Sequence, residues 1–250
     1  MGRRGRHSAN TRIETTSGCV EFVSDGPRLS LLIDGRPQSC VDLTDATYLS
    51  FGYMEWIDRA LALAGGLKDR EVALHLGGGA CALPRAWAHR YPQARQVVAE
   101  IDPDVVDLVR ATIDLPKKPT LSLRVQDGAL ALAQARDGWA RVLVRDAFDH
   151  GATPAPLSGA DFWRHAARVT SGLAAANCAC GPAPARAEAA SAARFFPHIA
   201  LVATARTLAA RKAGNVVVLA SHEALPVADL ARELTRCREQ AIVDTVETGG

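Results

Sequence analysis

The feature that most limits what this chain can become is the run Val72-Ala-Leu-His-Leu76, which meets Gly77-Gly78-Gly79 and then a helical pattern carrying Ala82, Ala86 and Trp87. A continuous apolar run bounded by glycine reads as a strand buried on both faces, the kind found in parallel sheets. The glycines permit a tight turn and close approach of a ligand to the backbone, and the helix that follows offers unpaired N–H groups at its start. Next comes Gln96-Val-Val-Ala-Glu100, a second strand ending in an acid. Asp102 follows as a helix N-cap, Pro103 sits in the first turn, and Val105, Val106, Val109 and Ile113 share one helical face. The unit is βαβα, and an acid about 20 residues beyond a glycine turn is where such folds hold ribose hydroxyls.

Further strands are predicted at 121–125, 141–145, 172–178, 199–204 and 215–220, separated by helices or loops. The alternation gives an α/β fold, a mostly parallel Rossmann-like sheet with helices on both faces. Upstream, between 18 and 41, short apolar segments alternate with the turn sequences Ser24-Asp25-Gly26-Pro27 and Asp34-Gly35-Arg36-Pro37, which predicts a small antiparallel β-meander. From Ala46 to 63 the pattern turns helical, with Leu49, Tyr53, Trp56, Ile57, Ala60 and Leu61 on one face. The expected organisation is a flexible basic tail over 1–14, a small β-rich domain over 15–45 and a Rossmann-like nucleoside-binding domain over 46–250. Residues 150–158 read as a loop over the carboxyl edge of the sheet, and 181–193 as an alanine-rich loop leading into a helix.

Composition narrows the classes. With 48% apolar and 22% charged residues the 250-residue chain reads as an ordinary folded protein. A net charge of +2 argues against nucleic acid or an anionic membrane as the main partner. No long apolar run follows the basic start, so neither a secretory signal nor an anchor is expected, and the expected location is the cytoplasm. The six cysteines show no repeated CxxC pairing and no histidine at zinc-site spacing, so no metal is expected. Cys178 and Cys180 would point to one side of a strand, as a vicinal redox pair or as two small buried residues.

The later strands decide between ligand classes. Gln126-Asp127-Gly128 follows the third core strand and Asp146-Ala-Phe-Asp149 the fourth. Each lone aspartate can be a helix cap or turn residue. Together with Glu100 and the glycines they converge on the edge where open α/β sheets bind ligands. Such an acidic pocket disfavours pyrophosphate and favours a cationic, amine-bearing ligand.

The ordered set GGG, AEID, QDG and DAFD, preceded by LLIDGRPQS, resembles spermidine synthases and their bacterial relatives over about residues 28–220. The resemblance implies a class I methyltransferase-like domain behind a small β-rich domain, with decarboxylated S-adenosylmethionine as co-substrate and no tightly bound cofactor. It implies aminopropyl transfer to a small-molecule amine, putrescine or another, with release of methylthioadenosine. Gln38 would face the sulfonium side chain. Gly77, Gly78, Gly79 and Glu100 would hold the ribose end, and Asp127 the adenine amino group. Asp146 would accept a proton from the acceptor amine and Asp149 would anchor it, under a closing loop at 150–158. Three positions depart from the family pattern. Ala80 replaces an acid after the glycines, Tyr48-Leu49-Ser50 stands where a Tyr-His-Glu run is expected, and His150 replaces a proline. They keep open an S-adenosylmethionine-dependent methyltransferase and a non-catalytic adenosyl-binding homologue. Exposed meander edges could pair in a homodimer.

Overall fold

The computed structural model of the chain describes residues 12–149, 151–179 and 181–246. His150 and Cys180, and most of the basic tail, lie outside the described residues. The N-terminal unit is an antiparallel sheet of β1 (Arg12–Thr15), β2 (Gly18–Asp25), β3 (Arg28–Ile33) and β4 (Arg36–Asp42), in that spatial order. Residues 12–14 thus pair into the meander rather than belonging to the tail. Asp34 and Gly35 both take positive φ, which makes the tight hairpin turn that the Asp-Gly pair foretells. In β4, Leu31 opposes Ser39 and Leu32 opposes Pro37, so Gln38 is the extra residue of a β-bulge.

Helix α1 (Gly52–Leu63) starts later than the periodicity from Ala46 suggests. The carboxylate of Asp42 accepts from the backbone N–H and hydroxyl of Thr44 and from the N–H of Asp45, and Asp45 does the same for Thr47. These local bonds give the backbone an alternative to the helix.

The remaining elements are β5 (Val72–Leu76), α2 (Ala82–Arg90), β6 (Arg95–Glu100), α3 (Pro103–Thr112), β7 (Leu121–Val125), α4 (Gly128–Gln134) and β8 (Ala140–Arg145). They continue with a 3-10 turn (Ala155–Leu157), α5 (Gly159–Val169), β9 (Thr170–Cys178), α6 (Pro182–Ala192), β10 (His198–Ala203), α7 (Ala205–Leu208), β11 (Val216–Ser221), α8 (Val227–Leu234) and β12 (Ile242–Val246). Their strands form one sheet in the order β12-β10-β11-β9-β8-β5-β6-β7. The run β9-β8-β5-β6-β7 is parallel, while β11 opposes both its neighbours and β12 opposes β10. Every residue of β5 and β11 is buried, as expected of strands covered on both faces. No helix among the described residues is long and apolar enough to cross a membrane.

The chain lays down β5, β6 and β7 outward in one direction and then returns to place β8 on the other side of β5. The strand order therefore reverses between β5 and β8, and a crevice opens at their carboxyl ends. The meander docks over this edge. Both Thr16 Oγ1, at 3.2 Å, and Ser17 N–H, at 3.0 Å, donate to Asp102 at the start of α3.

Candidate functional site

Gly77 leaves β5 with φ +93°, and a side chain there would strike the backbone carbonyl of Asp146. Glycine is required because the two strands flanking the reversal are in backbone contact at this point. Gly79, at φ +47°, faces the meander, where a Cβ would lie 3.2 Å from that of Ser39. The glycine turn is gathered around one carboxylate. Glu100 Oε2 accepts from the N–H of Gly78 at 2.8 Å and of Gly79 at 3.3 Å, and Oε1 accepts from Asp102 N–H at 3.2 Å. The glycines and the acid at the end of the next strand thus form one unit.

Asp127 caps α4, accepting from Leu130 N–H at 2.9 Å, and its side chain is exposed at the end of β7. The cap reading and a ligand role are compatible, since one carboxylate oxygen carries the cap. Val125 and Leu130, two residues before it and three after it in the chain, are each 51% exposed, and Ile101, directly after Glu100 at the end of the paired strand β6, is 63% exposed. Exposed apolar residues at the end of β6, the end of β7 and the first turn of α4 leave an uncovered nonpolar rim beside two carboxylates. The residue pattern did not single out Ile101 or Leu130.

At the end of β8, Asp146 is held from two elements. Tyr53 of α1 donates its hydroxyl to Oδ2 at 2.7 Å, and Asn177 at the end of β9 donates its amide to Oδ1 at 3.0 Å. Burial pushes the Asp146 carboxyl above its ordinary range, while Asn177, Tyr53 and the Arg145 cation pull it back only in part. Burial and the neighbouring carboxylate raise the Tyr53 hydroxyl well above its ordinary value, so it stays protonated and donates. Asn177 is 2% exposed, and its Oδ1 has no hydrogen-bond partner among the described residues.

The aromatic partner is Tyr53, in the first turn of α1, and not Tyr48, which lies ahead of the helix. Tyr53 shares its helical face with Trp56 and Ile57, which hid its polar role. Asn177 carried no motif at all.

The other expected residues are placed as follows. Asp149 is exposed at the neck of a short loop, its backbone paired with Ala152. Gln38 bonds the carbonyl of Arg36 at 3.3 Å, and its neighbour Ser39 is the residue against the glycine turn, with a buried hydroxyl that has no partner among the described residues. Ala80 is fully buried. Among the described residues no three His, Cys, Asp or Glu side chains gather as metal ligands.

No protein-family model matches the sequence, and no curated protein matches it significantly. Solved structures do. A probable spermidine synthase from Corynebacterium glutamicum is 27% identical with a TM-score of 0.89, over 96% of this chain and 91% of its own. A spermidine synthase in complex with the transition-state analogue AdoDATO aligns at 13% identity and TM-score 0.63, over 92% of this chain and 78% of its own. Human methyltransferase-like protein 13 in complex with SAH shares the fold at 17% identity and TM-score 0.52, over 74% of this chain and 87% of its own. With the first of these likenesses running through both the meander and the sheet, the chain is a spermidine synthase-like protein of the class I methyltransferase-like fold.

Proposed function

We propose that the protein transfers an aminopropyl group from decarboxylated S-adenosylmethionine to an amine and releases methylthioadenosine. The observation that carries this reading is Asp146. The residue stands at the reversal of strand order with its backbone carbonyl against Gly77, and its carboxylate is gripped by Tyr53 and Asn177 and made a stronger proton acceptor by burial. In the reaction the amine lone pair attacks the methylene beside the sulfonium, the carbon–sulfur bond breaks, and its electron pair returns to sulfur as a neutral thioether. The proton shed by the attacking nitrogen needs an acceptor within hydrogen-bond reach, the role given to Asp146. Asp149, on the exposed loop beyond, is the proposed anchor for the acceptor's charge.

The nucleoside fits the other half of the crevice. A carboxylate offers about four acceptor positions, and three backbone N–H groups reach Glu100. Ribose hydroxyls would replace the two long contacts, from Gly79 and Asp102, and keep the short one from Gly78. Ile101 and Leu130 would cover the adenine faces while Asp127 takes the exocyclic amine through the oxygen not used in its cap. Gln38 is assigned to the donor tail with Ser39 beside it. The AdoDATO and SAH complexes of the structural neighbours support an adenosyl ligand here.

A second reading, methyl transfer from intact S-adenosylmethionine, is favoured by the buried Ala80, which sets no acid against the carboxylate that only the intact donor carries. One assay separates the two. Each donor is incubated with a panel of putrescine, cadaverine, spermidine and agmatine, and the nucleoside products are resolved. Methylthioadenosine formed only with decarboxylated donor and amine supports aminopropyl transfer. S-adenosylhomocysteine formed from the intact donor supports the methyltransferase, and neither product rejects both.

A further inference from the structure

Immediately before Asp146 lies a residue that an α/β core strand does not need. Arg145 is fully buried, and its guanidinium reaches four groups from three parts of the fold. Nη1 donates to the carbonyl of Leu157 at 2.8 Å and to Glu188 Oε2 at 3.1 Å. Nη2 donates to the carbonyl of Asn177 at 3.2 Å and to Cys178 Sγ at 3.2 Å. The cation also stands 5.1 Å from the centre of the Phe162 ring. Glu188, on α6, spreads the connection further. Its Oε2 also accepts from Trp163 Nε1 at 2.7 Å, and its Oε1 from Gly159 N–H at 3.1 Å.

We propose that Arg145 and Glu188 are the positioning pair of the acceptor end, an ion pair that holds Asn177 and the Ala155–Leu157 turn in place around Asp146. The inference rests on the aminopropyl-transfer reading for what the positioned groups do, but not for the positioning itself. Asn177 is the residue whose amide holds Asp146 Oδ1, and its own carbonyl is held by Arg145. The chain leaving Asp146 returns at the 3-10 turn and at the start of α5, and both return points are bonded to the same pair, through Leu157 and Gly159. One ion pair therefore fixes a ligand of the central carboxylate and the far end of the segment that follows it.

Stability alone is a poor reason for such a pair. Two charges taken out of water cost several kcal/mol each, and well-packed apolar replacements of a buried pair are often neutral or stabilising. What the pair supplies is geometry. The planar fork addresses Leu157, Glu188, Asn177 and Cys178 at fixed angles, which a lysine cannot do from one ammonium.

The test uses the full chain with the double substitution Arg145→Met/Glu188→Leu and the single substitution Arg145→Lys. Thermal melting, methylthioadenosine affinity by calorimetry, amine kcat and KM, and hydrogen exchange over residues 153–163 and 174–178 are measured. The double variant is expected to melt near the parent and to bind methylthioadenosine within about threefold, because Glu100 and the glycines lie on other strands. Exchange over both segments is expected to rise, and kcat/KM for the amine to fall about 100-fold, the scale of a displacement near 1 Å. Arg145→Lys is expected to keep the fold and lose at least about tenfold, because charge without the fork does not restore the angles. Parental exchange and parental kcat/KM in either folded variant would overturn the proposal. Should the double variant fail to fold, Arg145→Lys decides. Should the parent transfer nothing to any amine, the function reading fails, while exchange over the two segments still decides the pair.

Discussion

Tyr53 and Asp146 are 93 positions apart in the chain and 2.7 Å apart in the fold, joined by a hydrogen bond from the phenol to the carboxylate. The bond ties α1, the element that connects the meander to the main sheet, to the strand end where the proposed proton acceptor stands. Burial and the neighbouring carboxylate raise the Tyr53 hydroxyl well above its ordinary value, so the phenol keeps its proton and donates a hydrogen bond to the carboxylate. Tyr53 therefore orients the carboxylate and limits its rise in proton affinity.

Removing that hydroxyl tests its contribution. Tyr53→Phe keeps the ring, its packing beside Phe51 and the helical face, and deletes one bond to a charged group. Bonds of this kind contribute about 1.5–3 kcal/mol, so kcat for amine transfer is expected to fall roughly tenfold to 100-fold. The acid limb of the kcat/KM profile is expected to move to higher pH, because a lowering influence on Asp146 is lost. An unchanged limb with unchanged kcat would place Tyr53 among ordinary packing residues.

Glu100 predicts a different pattern. Glu100→Gln retains an oxygen that can accept from Gly78 N–H, but it loses the charge and half of the acceptor capacity that ribose hydroxyls need. Methylthioadenosine affinity is expected to drop at least about tenfold, one to two charged hydrogen bonds' worth. Amine turnover at saturating donor should change less. Calorimetric titration of parent and variant checks this, and equal affinities would remove Glu100 from the site.

Much of the sheet was legible because its strands are buried on both faces and so read as unbroken apolar runs. β12 was not, since Ile242 is 47% exposed and no residue of this edge strand is buried. The acids were legible because strand ends in this architecture face one crevice. Tyr53 and Asn177 were not. Tyr53 obeys the spacing of a core residue, and its role lies in a hydroxyl that the spacing does not report. Asn177 ends a strand of alanines, and only the pairing of β9 with β8 brings it beside Asp146.

The meander's attachment depends on Asp102, whose two oxygens serve two elements. Oδ1 caps α3 through Asp104 N–H at 2.9 Å and Val105 N–H at 3.3 Å, and Oδ2 takes Thr16 and Ser17 from the meander. Asp102→Ala removes a cap worth about 1 kcal/mol and orphans further donors at about 1–3 kcal/mol. Urea unfolding is expected to show a loss of about 2–4 kcal/mol, with faster proteolysis between β1 and β2. A loss confined to the cap value, with parental proteolysis, would mean that Ser39 and the rest of the interface hold the meander without Asp102.

The acidity of Asp146 gives a stability prediction opposite in sign to the usual effect of mutating a central residue. Its folded-state pKa lies above the unfolded value of about 3.9, chiefly because the charged form is buried. The folded chain then holds the proton more tightly than the unfolded chain does. The stabilising contribution of the protonated group is fully present below the unfolded value and is lost as pH rises through the folded one. Asp146→Asn cannot ionise and escapes that loss. Its carboxamide can still accept from Tyr53, and Asn177 can turn its unpartnered oxygen toward the new amide. Parent and variant are expected to melt at similar temperatures near pH 4, with the variant progressively the more stable toward pH 8, while amine-dependent release of methylthioadenosine falls at least about 100-fold. Calorimetric scans across that range, paired with the release assay, measure both halves. A variant that loses stability relative to the parent as pH rises would mean that the ionised carboxylate is stabilised in this crevice, and Asp146 would then be a poor proton acceptor.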